Sequence, residues 1–127
     1  MKKNNGLDLR IDSQDDKVCH LSLSGRISQT LLGSSGDQLS QLLGEANYDQ
    51  NILLSLQKTD YIDSSGIGWL LATDKKIRAA GGKLVLHSLP SDVQHIFGIM
   101  NLNTILNVVK DKQQANQVVA GGSANAN

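Results

Sequence analysis

The chain has 127 residues, of which 39% are hydrophobic and 19% charged, so it suits one soluble globular domain with a hydrophobic core rather than a disordered segment. Basic and acidic residues balance at 12 each, which leaves no electrostatic footprint for nucleic acid or an anionic membrane surface. A single cysteine, Cys19, precludes an intrachain disulfide, and no apolar run reaches membrane-spanning length.

In chain order, Leu7, Leu9 and Ile11 alternate with Asp8, Arg10 and Asp12, the pattern of a strand with one buried face. "SQDD" at 13–16 reads as a turn. Cys19, Leu21 and Leu23 then alternate with His20, Ser22 and Ser24 in a second strand that Gly25 ends. The short link predicts an antiparallel hairpin. From about Thr30 to Ala46 the period becomes helical, with Leu32, Leu39, Leu42 and Leu43 on one face. "NYDQN" at 47–51 reads as a loop. "ILLSL" at 52–56 has the continuous apolar character of a strand covered on both faces.

Residues 65–80 read as a helix with Ile67, Leu70, Leu71 and Ile77 inward, and Thr73, Lys76 and Ala80 elsewhere. Gly81-Gly82 stops it, and Lys75, Lys76 and Arg78 suit its negative end. "KLVLH" at 83–87 is a further buried strand. Pro90 opens a third helix with Val93, Ile96 and Phe97 inward. Residues 105–109 read as a last strand, 110–119 as a short helix, and the closing "AGGSANAN" as a tail with nothing to bury. Strands alternating with helices after an opening hairpin give an α/β fold with a mixed sheet.

The stretch "TDYIDSSGIGWLL" at 59–71 carries the chemistry. It lacks the Gly-x-Ser-x-Gly of a nucleophile elbow, since Ile62 stands two positions before Ser64. No acidic partner for His20, His87 or His95 is evident, so no catalytic residue is assigned. Gly66 and Gly68 alone fall short of a dinucleotide fingerprint, and no lysine completes a Walker loop. Candidate metal ligands are scattered, so neither a metal nor a cofactor is expected.

Asp63 or Ser64 can cap the following helix, for about 1 kcal/mol. Two glycines in the first turns weaken that helix by about 2 kcal/mol. Either close packing of the turn or approach by another molecule must account for them. A modification site explains these features together. A serine at a helix start tolerates a phosphate near free N–H groups and the positive dipole end. Small residues at 65, 66 and 68 leave room for a partner. Phosphate beside Asp60 and Asp63 would change the local charge and switch a binding surface without unfolding the domain.

Residues 7–109 resemble the STAS domain of bacterial anti-sigma factor antagonists. The likeness rests on Asp63-Ser64-Ser65-Gly66-Ile67-Gly68 after a strand, on Gly81-Gly82 before a strand, and on "P-x-x-V-x-x-I-F-x-I-M-x-L" from Pro90 to Leu102. The opening "CHLSLSGRIS" adds to it.

The resemblance implies a STAS-like single domain over 1–110, with a small mixed sheet of about four or five strands packed by helices, followed by a short helix and tail over 111–127. It implies Ser64 as the phosphoacceptor, flanked by Asp63 and Ser65; Gly66, Gly68, Trp69 and Ser28 are the further candidates for the partner surface. The implied partners are an anti-sigma factor acting as a serine/threonine kinase and a phosphatase that reverses it. The unphosphorylated form would bind the anti-sigma factor and free a sigma factor, in the cytoplasm. Ser28 departs from the family, which often has an aspartate there. Trp69 lies off the Ile67/Leu70/Leu71 stripe and reads either as an interface anchor or as packing under a loop. The alternative function is a structural STAS subunit of a lipid-transport or transporter assembly, without serine phosphorylation.

Overall fold

A computed structural model describes residues 8–14, 18–27, 43 and 48–120. Its elements are β1 (Asp8–Gln14), β2 (Val18–Ile27), β3 (Asn51–Ile62), α1 (Ser64–Ala79), β4 (Lys83–His87), α2 (Ser91–Ile99), a 3₁₀ turn (Leu102–Thr104), β5 (Asn107–Val109) and α3 (Lys112–Ala120). The strands form one five-stranded sheet in the order β1-β2-β3-β4-β5. β1 and β2 are antiparallel and every later pairing is parallel, with α1 crossing from β3 to β4 and α2 from β4 to β5.

Alternation along the strands assigns the two faces. Cys19, Leu21 and Leu23 of β2, Ile52, Leu54 and Leu56 of β3, and Leu84 and Leu86 of β4 enter the main core. Ile67, Leu70 and Ile77 of α1 and Val93 and Phe97 of α2 cover them. Leu53 and Val85 point the other way and meet Ala115, Val118 and Val119 of α3. The helix beyond residue 110 thus covers the second face of the sheet.

Several elements differ from the sequence expectation. β1 continues through Ser13 and Gln14, where the sequence predicts a turn, after a bulge between Ile11 and Ser13. Leu9 is buried, whereas Ile11 is 38% exposed on this edge strand. β2 does not stop at Gly25. That glycine adopts φ 97°, and the chain continues to Ile27 with an irregular register against β3. β3 extends from the apolar run to Ile62, because β2 keeps pairing with it as far as Ile27↔Ile62. The last strand is only Asn107–Val109. Residues 102–104 form the 3₁₀ turn, which buries Leu102 and leaves Ile105 exposed.

The buried arc of α1 is also wider than the expected stripe. It takes in Gly66, Trp69, Thr73 and Asp74 as well as Ile67, Leu70 and Ile77. Thr73 therefore faces inward. Asp74 is buried too, and its Oδ2 accepts hydrogen bonds from Arg78 one turn later. Of the helix expected over 30–46, only Leu43 is described, and it is helical and part of the core. The remainder of that expectation and the tail at 121–127 lie outside the described residues.

Gly81 and Gly82 have different reasons to be glycine. Gly81 adopts φ 93°, in the left-handed region that ends helices without a Cβ penalty. At Gly82, a Cβ would run into the backbone carbonyls of Tyr48 and Gln50. The N–H of Lys83 donates to the same Gln50 carbonyl at 3.2 Å, so β4 enters the sheet at this close approach.

Candidate functional site

β3 delivers the conspicuous stretch without a loop. Ile62 is its last residue, Asp63 is the N-cap of α1 and Ser64 is the first helical residue. Asp63 has an extended backbone, and its Oδ1 accepts the Gly66 N–H at 3.0 Å. The Asp63 carbonyl accepts the Ile67 N–H at 2.9 Å. Capping therefore falls to Asp63, which leaves the Ser64 hydroxyl for other use. Ser64 is exposed and Ser65 half-buried.

The two glycines also separate. Gly66 is buried and gives its N–H to the cap. Gly68 is exposed, and a Cβ there would meet nothing within 4 Å. Packing does not account for Gly68. Its effect is to lower the surface one turn after Ser64 and keep the backbone open to approach.

The first turn of α1 brings Asp63, Ser64, Ser65, Gly66 and Gly68 together. Trp69 does not share their surface. It is 2% exposed and belongs to the main core, so the packing alternative holds and the surface-anchor reading is corrected. The physical reason is the wide buried arc of α1, which includes the 66, 69 and 73 positions. Ser28 lies outside the described residues. Ile27, the residue before it, pairs with Ile62, two residues before Ser64.

The histidines lie elsewhere. His87 ends β4 and is 3% exposed, while His95 is exposed on α2. His20 and His87 line a cavity of about 320 Å³ with Asp12, Ser55 and Lys112. The sequence assigns neither histidine a role. The available signal was alternation, which sets His20 on the face opposite Cys19 and Leu21. The meeting of four strands and a helix at one cavity was not readable.

Cys19 is fully buried, and desolvation pushes its thiol pKa up, away from reactive thiolate behaviour. Among the described residues no helix is long and apolar enough to cross a membrane.

A mixed five-stranded sheet whose third strand leads into an exposed serine at the start of a covering helix defines a STAS-type module. The chain belongs to the family described as the Mlab, STAS domain, whose family model matches residues 11–109. It is 31% identical over 67 residues to BtrV of Bordetella bronchiseptica, a protein that carries the name of an anti-sigma factor antagonist. That match covers 53% of this chain and 58% of BtrV, so the chain spans less than two thirds of the relative's length.

Its fold is similar to that of the anti-sigma factor antagonist SpoIIAA in its unphosphorylated form. The TM-score is 0.69 at 17% identity, with 90% of this chain and 97% of the other covered. The phosphorylated form of SpoIIAA, a Bacillus cell fate determinant, gives a TM-score of 0.62 at 14% identity, covering 87% and 99%. These likenesses place the fold, which has the mixed sheet expected from the sequence.

Proposed function

We propose that this chain is a phosphorylation-switched binding module of the anti-sigma factor antagonist type. The observation that carries the reading is an exposed Ser64 at the first position of α1, freed from capping by Asp63 and followed by the bare backbone of Gly68. A kinase needs the hydroxyl and the turn around it to be reachable, and both are. The relatives named as anti-sigma factor antagonists, among them one known in phosphorylated and unphosphorylated forms, support the same reading.

In this mechanism the unphosphorylated turn docks against an anti-sigma factor, and release of a sigma factor follows. The contact surface is Asp63, Ser64, Ser65 and Gly68. The anti-sigma factor acts as a serine kinase on Ser64. The phosphate adds nearly two negative charges directly beside Asp63. Repulsion and bulk then oppose docking, while N–H groups at the start of α1 and its dipole accommodate the phosphate without unfolding the helix. A phosphatase restores the docking surface. The chain serves as substrate and binding partner, with no catalytic group of its own in the cycle.

The test is phosphate mapping by mass spectrometry after incubation with the candidate kinase and ATP. The expected result is one phosphate on Ser64, lost in Ser64→Ala, with Ser64→Asp binding the kinase more weakly. Equal labelling of Ser64→Ala would refute the site. Equal binding of Ser64→Asp and the native chain would refute the switch and favour a structural STAS subunit of a transport assembly.

A further inference from the structure

The sheet face opposite α1 and α2 is unevenly covered. α3 packs on β3, β4 and β5, with Ala115 over Leu53 and Val85. At the first turn of α3 this apolar cover gives way to a polar cavity of about 320 Å³. Asp12 of β1, His20 of β2, Lys58 of β3, His87 of β4 and Lys112 of α3 line it, together with Ser88.

The cavity is more than a wet patch of strand surface. His87 is 3% exposed, and its Nδ1 lies 2.8 Å from Ser88 Oγ. With Nδ1 so engaged, Nε2 is the ring atom left for the cavity. Ser88 adopts φ 62°, a conformation that a serine holds only at a cost in backbone strain. That strained turn carries the hydroxyl engaged with the imidazole.

The charges around this cavity lean positive. Among the described residues, Lys58 and Lys112 face a single lining carboxylate, Asp12, which already accepts a hydrogen bond from Ser22 Oγ. Asp111, beside the cavity, accepts the Gln114 N–H at 2.9 Å and caps α3. Burial, then the neighbouring His20 and Lys112, disfavour the charged form of His87, with Asp111 opposing them. Two ammonium groups thus border a cavity that two imidazoles also line.

We propose that this cavity binds a small phosphate-bearing anion through Lys112 and Lys58, with His87, His20, Ser55 and Ser88 as hydrogen-bonding partners. Ammonium groups, imidazoles and hydroxyls converging from several directions suit a tetrahedral oxyanion. A flat carboxylate is better matched by the fork of an arginine, and none lines the cavity among the described residues. The volume lies at the lower end of small-molecule sites, which run from about 300 to 1,000 Å³. It accommodates inorganic phosphate or a phosphate monoester with a short organic body. This site is separate from Ser64 and does not depend on the phosphorylation switch.

The test follows the imidazole resonances of the labelled full chain by NMR during titration with sodium phosphate, with sodium chloride at matched ionic strength as control. His87 and His20 signals are expected to move and saturate with a dissociation constant of about 1 mM or tighter. The His87 titration midpoint is expected to rise in bound protein, because an adjacent anion favours the imidazolium. Lys112→Gln, an exposed change that leaves the core alone, is expected to weaken binding about tenfold, the loss typical of one charge-assisted contact. Ser64→Ala is expected to bind phosphate like the native chain.

A parallel titration with glycerol phosphate distinguishes the sources. Tighter binding than inorganic phosphate identifies a monoester as the ligand, and equal or weaker binding identifies inorganic phosphate. Shifts that stay linear to about 50 mM, or match those in chloride, overturn the proposal. So does unchanged affinity in Lys112→Gln.

Discussion

Replacing Asp63 separates its two roles, as a hydrogen-bond acceptor and as a charge. Asp63 Oδ1 accepts the Gly66 N–H at 3.0 Å in a half-buried setting. Alanine at 63 leaves that donor without its cap. Loss of such a cap typically costs about 1 kcal/mol, within a range of about 0.5–2. Asparagine keeps the acceptor and removes only the charge, whose interaction with the helix dipole at a partly exposed position is worth about 0.3–1 kcal/mol. Stability is therefore expected to fall in the order native, Asp63→Asn, Asp63→Ala. For a chain of this length, the alanine change should lower Tm by about 3–5 °C, and asparagine by less than half of that. Urea unfolding followed by circular dichroism checks both, with unchanged m-values showing that the denatured state is unaffected. Equal losses in the two variants would refute the hydrogen-bond account. An unchanged Tm in Asp63→Ala would refute Asp63 as the cap.

Gly68→Ala should raise stability by about 0.5–1 kcal/mol, since the added methyl meets open space and relieves the cost of a helical glycine; an unchanged urea midpoint would contradict the bare surface. Gly82→Ala should do the reverse, costing about 1–3 kcal/mol through collision with the Tyr48 and Gln50 carbonyls, and a thermal melt reads the difference. The single tryptophan, Trp69, should show blue-shifted fluorescence and resist quenching by acrylamide, whereas a surface anchor would emit in the red and quench readily. His87 has its pKa lowered from 6.5 by burial, so the unfolded chain takes up that proton first. Its contribution is complete above pH 6.5 and is lost as pH falls through that value towards the depressed folded one. Denaturant titrations across this window should show native stability falling with pH, with a shallower slope in His87→Gln.

The glycine pair after Ser64 shows why a motif needs its surroundings. In sequence Gly66 and Gly68 look equivalent, and both weaken a helix. Folding buries one against the capped turn and leaves the other facing open space. Only the second is a candidate for partner access. Trp69 makes the complementary point. A stripe counted from Ile67, Leu70 and Leu71 leaves the indole outside. The actual arc is set by what packs against α1, namely strands β2, β3 and β4 of the sheet.

Local pattern determined the element order, the opening hairpin, the inward faces of β2, β3 and β4, and the placing of Ser64 at a helix start. These follow from periods of two and 3.6 and from residues that cap or break helices, all properties of neighbouring positions. Tertiary pairing decided how far strands run, since β3 extends to Ile62 only because β2 continues beside it. It also decided which polar residues meet. Asp12, His20, His87 and Lys112 are spread across 101 positions of the chain and converge because β1, β2, β4 and α3 share one face of the sheet. Such convergence depends on strand order and register, for which a linear pattern of residue types carries no signal.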